Sequence, residues 1–303
     1  MNDKLIHLLE RVLNSRAKKL TKADEYMFFS PFISHYKPKL QINVSSQKWH
    51  CWVSNSGGHS IYSLFKKLGV KEKYFSELKD ICFIPTKDEV QSKVIVSLPN
   101  EYQPLWKPSK SLFYKHAINF LKRRGITNID IKKYKLGYCE DGIYGDRVII
   151  PSYDENGLLN YFVGRSFMGN NMKYKNPNVS RDIVPFEWFV AWSYPIVLCE
   201  GVFDAISIRT NAIPMLSKKP SKSLLTKIFQ KQVKTIYIAL DDDAKKDAYC
   251  LSEFFKDFGI DTKVVNLPKD KDPNDLGFEE MNSLMNKTIS SSFSDMIEAR
   301  LYG

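Results

Sequence analysis

Two stretches decide the fold of this chain: Ile196-Val-Leu-Cys-Glu-Gly-Val-Phe-Asp204 and Tyr237-Ile-Ala-Leu-Asp-Asp-Asp243. In both, a short apolar run that predicts a buried strand ends in carboxylates. Helical patterns at 204–210 and 244–258 follow these strands, and a third strand is predicted at 262–267. Strands that alternate with helices indicate a parallel sheet with both faces covered.

Acidic residues follow each of the three predicted strands. Glu200 comes directly after the first strand, and Asp204 lies one helical turn further on. Asp241 and Asp243 follow the second strand and can project to the same side. Because the carboxyl ends of parallel strands meet at one edge of a sheet, these residues should converge there. The third strand is followed by another acidic cluster, Asp270, Asp272 and Asp275.

Several carboxylates in one place repel one another and stay ionised when cations neutralise them. Oxygen ligands favour Mg²⁺ or Mn²⁺, and two such ions can bind an attacking hydroxyl, an α-phosphate and a leaving group. The alternative is that these residues cap strands and helices, since a single Asp at a helix start is more often a cap than a ligand. We expect a metal site with these ligands: Glu200, Asp241, Asp243, Asp272 and Asp275.

Composition restricts the class of partner and the compartment. The formal net charge of +11 over 303 residues favours polyanionic partners, nucleic acid first and acidic membrane surfaces second. The alternative is a surplus of positive charge that serves only solubility. The five cysteines are widely spaced without a CxxC pair, which is typical of reduced thiols. No apolar run reaches membrane-spanning length and no secretory signal is present, so we expect a cytoplasmic protein with no membrane partner.

The chain is predicted to divide into five parts. An amphipathic helix is expected over 3–20, three short strands at 26–29, 40–44 and 49–53, and a helix at 59–68. Further helices are expected at 111–124, 128–134 and 278–303, with strands at 147–151 and 160–165 around a turn at 154–157. The predicted parts are an N-terminal unit 1–70, a linker 71–108, a basic subdomain 109–190, a catalytic subdomain 191–280 and a tail 281–303.

The two opening stretches resemble the Glu-Gly and Asp-x-Asp motifs of the toprim fold, which occurs in primases, topoisomerases, recombination proteins and nucleases. Upstream elements resemble the basic subdomain that precedes toprim in bacterial and phage primases; they are Gly137-Tyr138, Asp146-Arg-Val-Ile-Ile-Pro151, Gly164-Arg165 and Lys173-Tyr-Lys-Asn-Pro177. Asp272-Pro-Asn-Asp275 is similar to an Asp-Pro-Asp element with one carboxylate displaced. Over about residues 26–280 the chain thus resembles a DnaG-like toprim primase.

This resemblance implies an α/β and α+β multidomain fold and an enzyme that makes short RNA primers on single-stranded DNA by metal-assisted nucleotidyl transfer. Asp241 and Asp243 would hold metal, and Glu200 would lie beside the reacting hydroxyl as a ligand or general base. Template and nucleotide contacts are expected from Arg147, Arg165, Lys173, Lys175 and Asp204. For each basic residue, a solvated surface charge is the alternative.

The N-terminal unit resembles the primase zinc ribbon with its ligands replaced. Ser30 and Ser54 stand where cysteines are expected, and Cys51 keeps a matching thiol. We therefore expect no Zn²⁺ and a β-unit held by an aromatic core of Phe28, Phe29, Phe32, Trp49 and Trp52. The alternatives are zinc on a rearranged set of His35, Cys51 and His59, or an ordinary buried thiol at Cys51. A single-strand DNA surface is predicted at Lys37, Lys39, Lys48, Trp49 and Trp52.

Two other functions stay open on the sequence alone. A toprim nuclease or a topoisomerase-related enzyme could use the same carboxylates, and a non-catalytic single-stranded DNA-binding replication accessory could explain the altered ribbon. For the primase, the implied partners are a single-stranded DNA template, ribonucleoside triphosphates and a hexameric replicative helicase within a primosome. The compact chain suggests a bacteriophage version working in the cytoplasm of a bacterial host.

Overall fold

A computed structural model describes most of the chain as two compact units. The described residues are 2–22, 24–58, 60–83, 96–169 and 172–288. The units are Met1–Val90 with Cys250–Ile260, and Gln91–Tyr249 with Asp261–Gly303. The finer division into five parts stays a prediction. Within the described ranges, the helices are too short or too polar to cross a bilayer.

Unit 1 is built on a five-stranded antiparallel sheet whose strands lie in chain order, β1-β2-β3-β4-β5. Its elements up to residue 83 are α1 (Asn2–Leu13), β1 (Lys18–Lys19), β2 (Glu25–Phe28), β3 (Leu40–Asn43), β4 (Trp49–Cys51), β5 (Ser56–Gly58), α2 (Ile61–Leu68) and α3 (Glu72–Phe83). Leu40 and Ile42 of β3 are buried while the alternating residues are half-exposed, as expected for a sheet with one covered face. The predicted β-unit is thus present, and the helix predicted from residue 59 begins at Ile61.

The helices of unit 1 depart from the prediction in two places. The first helix ends at Leu13 rather than near residue 20, because Asn14 takes a left-handed φ of 46° and the chain then pairs as β1. The stretch predicted as linker contains α3. Its buried side chains Phe75, Leu78 and Cys82 recur at helical spacing, a signal that the many intervening lysines and acidic residues obscure. Residues 84–95 of the predicted linker lie outside the described residues.

Unit 2 begins with an antiparallel sheet of strand order β10-β9-β8-β7-β6. Its elements are β6 (Gln103–Pro104), α4 (Leu112–Arg123), α5 (Asn128–Lys133), β7 (Gly137–Cys139), β8 (Arg147–Tyr153), β9 (Leu159–Ser166) and β10 (Tyr174–Lys175). The turn predicted between β8 and β9 is present: Gly157 has a φ of 76° and its N–H donates to the Asp154 carbonyl at 2.9 Å. A two-stranded hairpin therefore forms the middle of this sheet.

The second sheet of unit 2 is parallel, with strand order β12-β11-β13-β14. The elements in chain order are β11 (Ile196–Cys199), α6 (Val202–Ile208), β12 (Ala212–Pro214), α7 (Lys222–Gln230), β13 (Thr235–Ala239), α8 (Lys245–Asp257), β14 (Asp261–Val264) and α9 (Pro273–Lys287). Residues of α8 from Cys250 onward belong to unit 1. The parallel sheet was predicted, but β12 and α7 were not.

The strand order explains where a ligand site forms. From β11 the chain moves outward to β12, and from β13 it moves outward in the opposite direction to β14. Neighbouring strands whose connections diverge leave a crevice outside their carboxyl ends. In this sheet that crevice lies between the residues that follow β11 and those that follow β13.

A continuous apolar core fixes the two sheets of unit 2 against each other. Val148 and Ile150 of β8 share it with Val197 of β11. Helix α6 is buried at all seven positions and packs against α9, which bends at Gly277 (φ 70°). The helix predicted at 278–303 instead begins at Pro273 and ends at Lys287, and residues 289–303 lie outside the described part of the chain.

Candidate active site

Three carboxylates meet at the carboxyl edge of the parallel sheet. Glu200 follows β11, while Asp241 and Asp243 follow β13. One oxygen from each lies within 4.8 Å of the other two, a spacing at which one small cation can contact all three. The pairing of Cys199 with Ala239 in β11 and β13 sets the residues that follow at the same height. The structure brings together three of the five carboxylates that the sequence predicted as metal ligands, and their catalytic and metal-binding roles stay predictions.

Burial and mutual repulsion raise the pKa values of two carboxylates in this acidic cluster. Burial, followed by the charge of Asp241, raises the pKa of Glu200. Burial, followed by the charges of Asp272 and Asp243, raises the pKa of Asp241. Glu200 Oε1 and Asp241 Oδ1 are both buried without a hydrogen-bond partner. Buried carboxylate oxygens of this kind cost free energy unless a proton or a cation satisfies them, so the cluster fits a divalent cation.

The middle aspartate of the triplet has a different environment. Asp242 lies between the two cluster residues in sequence, yet its Oδ1 is 2.5 Å from Lys245 Nζ. That ion pair spans three residues at the start of α8 and leaves Asp242 out of the acidic cluster. The Asp-x-Asp pattern therefore has a structural basis in this chain: positions one and three face the crevice, and position two pairs with a lysine.

Asp204 holds the turn that carries Glu200. The Gly201 N–H donates to Asp204 Oδ2 at 2.8 Å, and a Cβ at position 201 would meet the same oxygen at 2.8 Å. Asp204 is only 7% exposed, and burial followed by the charge of Asp272 raises its pKa to about 7. The structure thus shows Asp204 bonded within the turn, and the nucleotide contact that the sequence predicted for it stays a prediction.

The acidic residues after β14 form a helix cap. Asp272 is the N-cap of α9 and its Oδ1 accepts the Asp275 N–H at 2.7 Å, with Asp275 reaching back in a capping box. Asn274, between them, is buried and its amide donates to Ser207 Oγ at 2.7 Å and to the Arg124 carbonyl at 2.8 Å. Asp272 and Asp275 add negative charge near Asp241 but are not part of the cluster that lies within 4.8 Å, so the capping alternative describes their contacts.

Lys218 is a residue of the site that sequence reasoning missed. Its Nζ lies 2.9 Å from Asp243 Oδ2, and this contact raises the pKa of Lys218. It stands in the connection between β12 and α7, at the same edge of the sheet as the acidic cluster. The signal was weak because β12 is only three residues long, so nothing in the sequence placed this connection at the active edge.

The predicted basic groove is divided between two faces of the antiparallel sheet. The register sets Arg165 opposite both Val148 and Tyr174, and sets Gly164 opposite Lys175. Since neighbouring residues of a strand point to opposite faces, Lys175 and Arg165 lie on different sides. Arg147 shares the side of Lys175, and the exposed Lys173 flanks β10.

The two predicted arginines, Arg147 and Arg165, also differ in how deeply they are buried. Arg147 is 6% exposed and its guanidinium donates to the carbonyls of Gly145 and Met172, so it closes the loop before β10 rather than facing a groove. Arg165 is half-buried with its guanidinium 4.5 Å from the ring centroid of Tyr174, on the face that also carries the shared core of unit 2. Of the two, Arg165 with exposed Tyr174 is the better placed for a nucleic-acid contact.

The altered ribbon positions of unit 1 converge as well. Cys51 is fully buried, and its Sγ donates to Ser30 Oγ at 3.2 Å. Ser54 Oγ lies 2.8 Å from Ser56 Oγ. Burial opposes ionisation of Cys51, but hydrogen bonds with Ser30 and Ser54 outweigh it and lower the pKa of the thiol. His35 contacts Lys37, and His59 lies outside the described residues, so zinc at a rearranged site stays an untested alternative.

The exposures of the aromatic residues in unit 1 differ from those predicted for its DNA surface and its aromatic core. Trp49 is 4% exposed and its indole N–H donates to Ser63 Oγ at 3.0 Å, so it belongs to the core and not to a DNA surface. Trp52 is 61% exposed and Phe29 is 47% exposed, so neither belongs to the aromatic core. Exposed side chains on the predicted DNA surface are Lys37, Lys48 and Trp52, with Lys39 half-buried.

Comparisons with known proteins agree with this geometry. A family described as Toprim-like matches residues 197–277. An uncharacterised protein of Mycoplasma genitalium, MG010, is 30% identical over 182 residues, which cover 54% of this chain and 80% of that protein. The DNA primase of Campylobacter jejuni is 24% identical over 84% of this chain and 51% of the primase, and that of Thermotoga maritima is 21% identical over 89% of this chain and 57% of the primase. The chain thus spans about half the length of these curated primases.

Solved structures show the same fold. The DnaG primase catalytic domain bound to single-stranded DNA superposes with a TM-score of 0.54 at 17% identity, covering 64% of this chain and 77% of that one. The RNA polymerase domain of Mycobacterium tuberculosis primase DnaG superposes with a TM-score of 0.51 at 15% identity, covering 64% and 82%. Because the order of the sheets, the acidic edge and the relatives in sequence point the same way, the chain belongs to the DnaG-like family of toprim primases.

Proposed function

We propose that this protein is a DNA-directed RNA polymerase of the primase type, which makes short RNA primers on single-stranded DNA. The observation that carries the proposal is the meeting of Glu200, Asp241 and Asp243 within 4.8 Å at the switch point of a parallel sheet, with unsatisfied buried oxygens. Nucleotidyl transfer needs such a site to gather charged phosphates beside a hydroxyl. The relatives named DNA primase support the same activity.

The chain's own residues then have separate roles. Asp241 and Asp243 hold Mg²⁺ or Mn²⁺, which when bound would supply charge neutralisation at the reacting phosphate. Glu200, with its raised pKa and its unpartnered Oε1, is placed to share the cation or to accept the proton of the primer 3′-hydroxyl. Asp204 keeps the turn before α6 in shape, so that Glu200 points into the crevice.

Template and nucleotide contacts are proposed for the exposed basic and aromatic groups beside the sheets. Arg165 stacked with Tyr174, together with Lys173, offers a cation and an aromatic face of the kind that single-stranded DNA uses. In unit 1, exposed Trp52 with Lys37 and Lys48 offers a second such surface. That a related catalytic domain was solved bound to single-stranded DNA supports this choice of template.

A replicative hexameric helicase is the proposed protein partner, because primer synthesis takes place where the duplex is opened. Its proposed docking surface is either the tail 278–303, which is described as far as residue 288, or the N-terminal unit. Deleting residues 289–303 should abolish any stimulation of priming by the cognate helicase while leaving unstimulated priming intact. Stimulation that survives this deletion would move the docking surface to unit 1.

Primer synthesis by matched variants tests the activity. The protein would be incubated with mixed-sequence single-stranded DNA, four ribonucleoside triphosphates (one of them radiolabelled) and Mg²⁺ or Mn²⁺, with and without helicase. Asp241→Asn and Glu200→Gln should each reduce labelled RNA by at least ~100-fold, a loss typical for a metal-site or proton-transfer residue. Asp242→Asn is the matched control and should retain near wild-type synthesis, since Asp242 pairs with Lys245.

Three other outcomes of this experiment would contradict the primase proposal or its assigned site. Cleavage of the template without RNA, lost in the Asp241→Asn variant, would replace the primase with a toprim nuclease. DNA binding without either product, in the presence of the helicase, would leave a non-catalytic accessory protein. Equal losses for Asp242→Asn and Asp241→Asn would show that the triplet matters for folding and would contradict the assigned site.

A further inference from the structure

We propose that Lys218 is a movable counter-charge of the acidic cluster: it competes with the divalent cation for Asp243 and transfers to the triphosphate when a nucleotide enters. This inference rests on the proposed function for its second half. Its first half concerns only the lysine, the carboxylates and a cation. It makes cation binding and nucleotide binding mutually dependent at one site.

The competition follows from one shared carboxylate, that of Asp243. Lys218 Nζ is 2.9 Å from Asp243 Oδ2, a charge-assisted hydrogen bond with side chains 42% and 75% exposed. Asp243 also supplies one of the three oxygens that lie within 4.8 Å of one another. A divalent ion held by these carboxylates would place a second positive charge close to the ammonium. Cation entry therefore requires Lys218 to turn away.

The chain is anchored to the sheet just before Lys218, whereas the Lys218 ammonium is held by one contact, to Asp243. Two hydrogen bonds tie the start of its connection to the strand that bears Glu200: Met215 N–H donates to the Cys199 carbonyl at 2.8 Å, and Leu216 N–H donates to the Glu200 carbonyl at 2.9 Å. From this anchored stretch of main chain, the Lys218 side chain extends to Asp243. Such an arrangement keeps the ammonium near the cluster and lets its long side chain change partner.

The surroundings of Lys218 favour a phosphate as the new partner. Its two neighbours, Ser217 and Lys219, line a cavity of about 290 Å³. Arg181 and Lys222 add two further cations to the lining, against one carboxylate from Asp182. An excess of positive charge beside three carboxylates attracts a polyanion that also carries a divalent ion, and a nucleoside triphosphate with its cation has this composition.

Binding of Mn²⁺ without template tests the first half. The full-length protein, its Lys218→Met variant and a Lys246→Met control would be titrated with Mn²⁺ and followed by electron paramagnetic resonance. Lys246 is an exposed lysine at the start of α8. Removing the competing charge should tighten Mn²⁺ binding ~5- to 10-fold in Lys218→Met, in line with loss of one charge near a partly exposed site. The control should change less than ~2-fold.

Nucleotide binding tests the second half. With Mn²⁺ saturating, the affinity for a non-hydrolysable ribonucleoside triphosphate should fall ~5-fold or more in Lys218→Met, and Lys218→Arg should recover most of it. Thermal unfolding of each variant would show that the fold is kept. Unchanged or weaker Mn²⁺ binding in Lys218→Met would overturn the competition. Tighter Mn²⁺ binding with unchanged triphosphate affinity would overturn the transfer.

These outcomes are separable from the fate of the proposed function. Mn²⁺ affinity is read without DNA or RNA synthesis, so it holds whether or not the protein makes primers. If Lys218→Met binds Mn²⁺ more tightly but the wild type makes no primers, the counter-charge stands and the primase proposal fails. The reverse result would keep the primase and remove the role of Lys218.

Discussion

The acidic cluster of unit 2 and the Ser30–Cys51–Ser54 cluster of unit 1 are both made of residues that the fold gathers from different parts of the chain, yet the first has unsatisfied polar atoms and the second does not. In unit 2, buried oxygens of Glu200 and Asp241 have no hydrogen-bond partner. In unit 1, the Cys51 thiol is satisfied by the hydroxyl of Ser30. Topology brings groups together in both places, but only unsatisfied charge indicates a ligand.

Rebuilding the ligands of unit 1 should give the largest effect. The variant Ser30→Cys, Ile33→Cys, Ser54→Cys would add three thiols around Cys51: Cys51 Sγ already donates to Ser30 Oγ at 3.2 Å, and the Ile33 N–H donates to the same oxygen at 3.2 Å. It should bind one Zn²⁺ per chain with an apparent free energy of about 10 kcal/mol or more. Metal analysis and the absorption of a Co²⁺ derivative would measure it. A variant with alanines at the same three positions is the control, and zinc in that control would disprove a thiolate site.

Removing the buried charge of Asp204 should give the next effect. Its folded pKa of about 7 lies above the unfolded value of 3.8, so the native state binds the proton more tightly and stability falls as pH rises from about 4 to about 7. Asp204→Asn keeps an acceptor for the Gly201 N–H and should remove that fall, by up to about 4 kcal/mol at pH 8. Urea unfolding at several pH values in chelator, against exposed Asp270→Asn, would measure it. Parallel pH profiles for wild type and Asp204→Asn would contradict the raised pKa.

The two tryptophans of β4 and its following turn should differ in what they affect. Trp49→Ala removes a buried ring and should lower the free energy of unfolding by about 3 kcal/mol or more. Trp52→Ala should change stability by less than about 1 kcal/mol and weaken single-stranded DNA binding by ~10-fold, through lost base stacking. Denaturant unfolding and fluorescence anisotropy separate the two. Full DNA affinity in Trp52→Ala would remove unit 1 from the template path at that position.

Divalent cations should give the smallest of these shifts, and one that depends on pH. At 100 times its dissociation constant, Mg²⁺ or Mn²⁺ should stabilise the protein by about 2.7 kcal/mol. Because protons compete for Glu200 and Asp241, whose pKa values are raised, the shift should be larger at pH 8 than at pH 5.5. Differential scanning fluorimetry with Asp241→Asn as control would measure it. A shift of equal size in that control would place the cation elsewhere.

Local patterns predicted the parts of the fold that local forces determine. The apolar runs of β11 and β13 and the carboxylates that end them could be read from the sequence, because parallel topology makes strand ends meet. The position of Lys218 could not, since it lies 25 residues from Asp243 and depends on where the short β12 joins the sheet. The burial of Arg147 was equally hidden, because a one-residue change in register decides which face a basic side chain takes.

The parallel order places Glu200, Asp241 and Asp243 at the carboxyl edge of the sheet, and among the described residues no second group of this kind lies at the opposite edge. The connection from α7 to β13 runs along that amino-terminal edge through Lys231, exposed Gln232 and Lys234. A fluorophore or a short peptide inserted between Lys231 and Gln232 should therefore leave the acidic cluster intact. The same insertion beside Lys218 should disrupt the cluster. The amino-terminal edge of the sheet is therefore the edge to label, and the carboxyl edge is the one to leave unmodified.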